Sequence, residues 1–185
     1  MNNVLISLNC HQDRNPSFVL PVDNDYSYFI NKTPKYGEAL KFAIKKAIDS
    51  NCDIVFADTD GYHPPSEIIK LAKFTYTGSS LFYIIKPYRS NIGFQSQIFS
   101  YLYSLYNLRY IHDPTGGLYR LSLEFMKSLP SLKSNDMTIH IEVLKHVLHS
   151  STKIIQYPYI SGSNDRLNSK RTKYFQLKLL WRMLK

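Results

Sequence analysis

With two cysteines and seven glycines in 185 residues, the chain lacks the raw material of several protein classes. Cys10 and Cys52 can form one bridge at most and build no cysteine-rich metal cluster. Both stand among apolar neighbours and read as core filler in a reducing compartment. No run reaches the roughly 18 consecutive apolar residues that cross a bilayer. The opening MNNVLISLNCHQD lacks the basic and apolar regions of a signal peptide, so a cytoplasmic protein is expected. Residues 1–20 hold no glycine, hence no glycine-rich phosphate loop beside the first strand. That weakens the case for a nucleotidyltransferase. No internal repeat or low-complexity stretch is present.

Acidic residues are also scarce, 14 against 23 Lys and Arg, for a net charge of +9 and a pI near 9.4. This raises three partner classes: nucleic acid, an anionic membrane surface and phosphorylated small molecules. From Arg166 onward, Lys170, Arg171, Lys173, Lys178, Arg182 and Lys185 alternate with a stripe of Leu177, Leu180, Trp181 and Leu184. The tail, 166–185, reads as a basic amphipathic helix, either peripheral on a membrane or docked on the body with its charged back in solvent. A nucleic-acid module with stacking tyrosines is the competing class. The carboxylate-centred motifs described next argue against it and for no nucleic-acid partner.

The hydrophobic share, 44% with 14% aromatic, suffices for one packed domain. Val4 to Leu8 reads as a first strand. Phe18 to Val22 is a second apolar run in which Pro21 implies an edge or a strand end. Ala39 to Ile48 carries apolar residues at helical period and leads into the apolar strand Cys52 to Ala57. A helix from Ser66 and a strand Ser80 to Ile85 follow. These successive crossings predict an α/β domain with a mostly parallel central sheet covered by helices on both faces. Further on come an aromatic helix from Phe94 to Leu108, a short strand at Leu118–Leu121, a helix from Thr138 to His149 and a strand Lys153–Tyr157. The tyrosines of the aromatic helix are expected in the core with their hydroxyls at the rim.

The most informative stretch is Asp58-Thr59-Asp60, followed by Gly61-Tyr62-His63-Pro64-Pro65. It puts two carboxylates at the exposed end of a buried strand, where ligands bind in open α/β sheets. Such a pair suits a hard cation, Mg2+ or Mn2+, which takes one or two carboxylates together with diphosphate oxygens. Without further context it could be a pair of turn aspartates. His63 is a further metal or phosphate contact, or a turn histidine bonded to backbone.

This segment resembles the D-A-D-x-x-H-P-P element of family 2 glycosyltransferases, in particular the dolichol- and polyprenyl-phosphate mannose synthase branch. Lys35-Tyr36-Gly37-Glu38-Ala39-Leu40 is similar to the family's G-x-G-x-A-L helix start. Asp113-Pro114-Thr115-Gly116-Gly117-Leu118-Tyr119-Arg120 is similar to its D-x-T-S-G-F-R acceptor motif, and Asp165 to Lys170 to its R-x-x-G-x-S-K tail. The resemblance spans roughly residues 30–170. It implies a GT-A type, Rossmann-like nucleotide-binding fold over 1–165, abbreviated at its N-terminus. The implied activity is metal-dependent, inverting transfer of a hexose from a GDP- or UDP-sugar to a polyprenyl phosphate, glycan or protein. Asp60 then becomes the direct metal ligand, with Asp58 facing ribose and sugar. Asp113 or Asp136 is the base, with Glu142 one turn further along that helix. Lys35, Gly37, Arg89, Arg120, Arg166 and Lys170 would contact the nucleotide sugar. Asp136 is equally well placed as a helix cap. The family's first-strand motif and acidic V-D-D turn are not recognisable; Val22-Asp23-Asn24-Asp25 or Asn9 to Asp13 are the available substitutes. If the acceptor is a phosphate, already ionised near neutral pH, the aspartates orient rather than deprotonate.

Overall fold

The computed structural model describes residues 3–10, 18–59 and 63–162. In chain order these form β1 (Val4–Asn9), β2 (Tyr26–Asn31), α1 (Tyr36–Asp49), β3 (Asp53–Asp58), α2 (Pro65–Lys73), β4 (Tyr83–Ile85) and β5 (Tyr88–Arg89). Then follow α3 (Phe94–Tyr106), β6 (Tyr119–Leu121), α4 (Leu123–Ser128), α5 (Ile139–Leu148), β7 (Lys153–Ile155) and β8 (Pro158–Tyr159). Six strands make one sheet in the order β2-β1-β3-β6-β4-β7, and β5 pairs with β8 alongside. The pairs β1/β2, β1/β3 and β4/β7 are parallel; β6 runs antiparallel between β3 and β4.

Strand alternation sorts the core into two faces. Leu5, Ile54, Phe56, Ile84 and Leu121 pack against α1, α4 and α5, while Val4, Ile6, Leu8, Val55, Ala57 and Ile85 pack against α2. Every residue of β1 and β3 is buried, as expected of strands covered on both sides. A polar network locks the lower edge of the sheet. Asp53, at the start of β3, accepts from Arg120 Nε at 3.1 Å and Nη2 at 2.7 Å, from the Leu123 backbone N–H at 2.9 Å and from the Tyr83 hydroxyl. Arg120 Nη1 also donates to the Ala72 and Phe74 carbonyls, each at 2.9 Å, closing the C-terminal end of α2.

Two expectations are corrected, and two elements form where none is expected. Phe18–Val22 is not a strand: Leu20 is buried, but Val19 and Val22 lie in solvent. Pro21 has no N–H to give a ladder. The second strand is instead Tyr26–Asn31, a partly exposed edge without a clean apolar alternation. A short helix, Leu123–Ser128, follows β6; Ser122 caps it, accepting from Phe125 N–H at 3.3 Å. Finally, α3 does not bury its tyrosines as a set. Phe99 and Tyr103 enter a small cluster with Ile111, Ile141 and Leu144, whereas Tyr101 and Tyr106 stand exposed.

Candidate functional site

The parallel strands β1, β3 and β4 end at one edge with Asn9, Asp58 and Ile85, and the antiparallel β6 begins there. The loop Asp113–Leu118 therefore lies over the carboxyl ends of β3 and β4. Asp58 is buried at the end of β3, where its Oδ1 accepts from Asn9 Nδ2 at 3.0 Å. Its Oδ2 faces Gly117: a Cβ there would come within 2.4 Å of Oδ2 and 2.8 Å of the Tyr36 hydroxyl. Only glycine lets the loop approach this closely. Thr59 continues the edge, its N–H and hydroxyl both donating to the Asn9 carbonyl at 3.1 and 2.9 Å.

Beside it lies a charged cluster that no short sequence window contains. Asp113 is buried and held in a left-handed conformation, φ 41°, by the turn in which Gly116 N–H donates to its carbonyl. Arg89, from β5, grips its carboxylate with two parallel bonds, Nε to Oδ2 at 2.7 Å and Nη2 to Oδ1 at 2.8 Å. Lys86, one residue past β4 and fully enclosed, donates to the Gly116 carbonyl at 2.9 Å. Burial lowers its ammonium to about 8, against the pull of Asp113 and with the push of Arg89. Burial also raises Asp113, but the bonds and charge of Arg89, with Lys86, outweigh it and hold the carboxyl below the usual range. His63 joins from the turn before α2, its Nδ1 2.7 Å from the Tyr159 hydroxyl. Burial and the neighbouring Arg89 lower it to about 3, so it is neutral.

Beneath this cluster Tyr36 and His140 bring α1 and α5 together, hydroxyl to Nε2 at 2.7 Å. Burial, reinforced by Lys86, lowers His140 to about 3. Its Nδ1 and the Tyr119 hydroxyl are buried without a hydrogen-bond partner, and burial with the nearby Asp58 raises Tyr119. Unsatisfied buried polar atoms are uncommon, and here they lie under the strand-end edge.

The structure thus unites Asp58, His63, Arg89 and Asp113 among the residues singled out in the sequence. Others sit elsewhere. Arg120 is spent at the opposite edge of the sheet on Asp53 and the end of α2, because β6 sends its side chain downward. Lys35 is exposed and paired with Glu38 at 3.0 Å. Gly37 serves packing, since a Cβ there would meet the Ser134 carbonyl at 2.4 Å. Glu142 turns to the preceding loop, accepting from Lys133 N–H at 2.7 Å and Ser134 N–H at 3.0 Å. Asp136 lies in the turn before α5, where its Oδ1 accepts from the Thr138 N–H at 2.9 Å and from the Thr138 hydroxyl. His63 bonds a tyrosine side chain rather than backbone. Asp23 and Asp25 pair with Lys73 ahead of β2, at the end of the sheet away from Asp58. Asp60, Arg166 and Lys170, with the tail, lie outside the described residues.

Lys86, Tyr36, His140 and Tyr159 carry no role in the sequence reading, and Asn9 enters it only within the Asn9 to Asp13 substitute for the acidic turn. Lys86 alone had a local signal, a lysine closing an apolar strand. Among the described residues, no group of three or more His, Cys, Asp or Glu is placed to hold a metal, and no helix is long and apolar enough to cross a membrane.

No protein-family model and no curated protein matches the sequence. Solved structures do match in shape, and they define the class of fold as GT-A. Glucosyl-3-phosphoglycerate synthase from Mycobacterium tuberculosis, in complex with Mn2+, UDP and glucosyl-3-phosphoglycerate, aligns with a TM-score of 0.71 and 14% identity, over 99% of this chain and 78% of that one. The same enzyme with Mn2+, UDP-glucose and phosphoglyceric acid gives 0.69 and 15% over 99% and 79%. A mycobacterial protein gives 0.69 and 14% over 98% and 74%.

Proposed function

We propose that this chain is a glycosyltransferase that moves a hexose from a nucleoside-diphosphate sugar, UDP- or GDP-linked, to an acceptor whose attacking oxygen is already anionic. The observation that carries the reading is the strand-end edge itself: Asp58 beside a loop made of Gly116-Gly117, with Lys86 and Arg89 banked around Asp113, in a GT-A fold. The structural neighbours hold Mn2+ or Mg2+ with UDP, and the donors here fit such an ion. Asp58 is a buried carboxylate oriented by Asn9, and Mg2+ or Mn2+ needs one or two carboxylates when diphosphate supplies the remaining oxygens. Asp60 would be the second ligand. When bound, the cation neutralises the charge that gathers on the departing diphosphate. His63 is a poorer ligand, because Arg89 and Lys86 beside it repel a divalent cation.

In the transfer, the bond from the anomeric carbon to the diphosphate oxygen breaks and the electron pair leaves with the nucleotide. The acceptor oxygen forms the new bond. Asp113, clamped at both oxygens and acidic, is a weak base, and Asp136 is engaged by Thr138 in the turn before α5. A phosphate acceptor needs neither. Lys86 and Arg89 then fix the loop, and with Asp113 they leave a net positive charge beside the edge that attracts an anionic acceptor. Inversion at the anomeric carbon, a polyprenyl phosphate as acceptor, closure of Arg166 and Lys170 over the diphosphate, and membrane contact by the tail complete the proposal.

The test is a thermal-shift series with UDP- and GDP-sugars, with and without Mn2+. One nucleotide should stabilise the wild type only with metal, and Asp58→Asn should abolish the shift while leaving the unliganded protein folded. A shift that persists in both Asp58→Asn and Asp60→Asn would overturn the metal assignment.

A further inference from the structure

Helix α3 covers the α5 side of the domain with a narrow ridge. Phe99, Ser100, Tyr103 and Ser104 are buried, and the serines spend their hydroxyls on backbone carbonyls, Ser100 on Ser96 at 2.8 Å and Ser104 on Ser100 at 2.7 Å. Most of what it leaves exposed is apolar: Phe94 at 75%, Tyr101 at 64% and Leu105 at 59%, flanked by Ile98, Leu102 and Tyr106, with Leu108 at 92% just beyond and Gln97 exposed at the border. At 100° per residue these side chains sweep about half the circumference, wider than the two-per-heptad seam of a helix pair. The helix carries no charged residue. Desolvating so large a face is favourable only if something apolar covers it.

We propose that the exposed face of α3 docks on the surface of an anionic lipid bilayer. A broad, uncharged face about 20 Å long, bordered by tyrosines, suits the boundary between headgroups and acyl chains. Charge favours the same occupant. From Ile68 to His112 there is no Asp or Glu, and Arg109 stands just past the helix; the other basic residues of that span are spent within the fold, Lys86 on the Gly116 carbonyl, Arg89 on Asp113, Lys70 on Glu67 and Lys73 on Asp23. The whole chain carries +9, so a second copy would be repelled where an anionic surface is attracted. The chain enters α3 just after Arg89 and returns just before Asp113, whose ion pair closes the excursion at its base. Docking by α3 therefore sets the strand-end site beside the lipid surface. The docking itself stands apart from the proposed transfer; its bearing on a lipid-borne phosphate acceptor rests on that reading.

The test is co-sedimentation of the full chain with vesicles of phosphatidylcholine alone and of phosphatidylcholine mixed with phosphatidylglycerol. Wild type should bind the mixed vesicles. The double variant Phe94→Ser with Leu105→Ser, changed only at exposed positions, should bind them at least about tenfold more weakly at unchanged thermal stability. Unchanged binding by that variant would overturn the proposal. So would binding lost only in Lys173→Gln with Lys178→Gln, which would assign it to the tail, or a wild-type dimer that the α3 variant splits. The metal-dependent nucleotide shift, run on the same proteins, reports separately on the donor site: its absence from wild type would count against the transferase and leave the vesicle result standing.

Discussion

Asp113 shows most sharply how a residue's role depends on what faces it. As a loop aspartate beside two glycines it has the makings of a general base. In the fold both its oxygens belong to Arg89, and its carboxyl titrates below the ordinary range. A largely buried pair of this kind is costly to break because the surviving charge loses its partner where little water reaches it. Asp113→Asn should therefore cost about 3–5 kcal/mol of stability, read by urea unfolding. If transfer by the variant, assayed below its melting temperature, still reaches a substantial fraction of the wild-type rate with a phosphate acceptor, the residue orients; complete loss at intact folding would restore it as the base. The sequence singled out Asp58, Arg89 and Asp113 as candidates because each follows a strand or enters a glycine turn. It could not show that Lys86 would be enclosed, or that Tyr36 and His140, over a hundred residues apart, would share a hydrogen bond.

At the scale of elements, helical and strand periodicity carried most of the assignment. β1, β3, α1, α2, α3 and α5 occur within a few residues of where their apolar patterns put them. β2 and α4 escaped, the first because an edge strand needs only half an apolar face, the second because six residues leave no period to read. Arg120 escaped for a different reason: it lies in a motif associated with the acceptor, but the pleat of β6 aims it at Asp53. Contacts between elements impose their own requirements. Gly37, in the first turn of α1, lies against the backbone of Ser134 and Asn135, its N–H donating to the Asn135 carbonyl at 3.0 Å. Backbone cannot swing aside as a side chain does. Gly37→Ala should therefore lower the melting temperature, a loss of about 1–3 kcal/mol, with the nucleotide shift retained if this glycine serves packing alone.

For the whole molecule, the buried histidines make stability depend on pH. His63 and His140 titrate near 3 in the fold against an ordinary 6.5, so between these values the unfolded chain binds protons that the fold excludes. Stability is complete above about pH 6.5 and declines as pH falls toward 3. The slope reaches about 1.4 kcal/mol per pH unit for each histidine. Unfolding free energies measured at pH 7 and pH 5 should differ accordingly, and His140→Phe should remove roughly half of the difference. An unaltered slope in that variant would show that His140 does not carry its share.

The chain's own order of residues determined the class of fold, the buried strands that lead to Asp58, and the surplus of positive charge, because periodicity and composition are local properties that survive in any arrangement. Tertiary structure alone decided which charges meet. Arg89 reaches Asp113 across the α3 excursion, and Arg120 is withdrawn to the far edge of the sheet. The half-covered face of α3 likewise appears only when α5 is found to shield one side of it. Partnership and burial are long-range properties, set by where the sheet brings distant segments together.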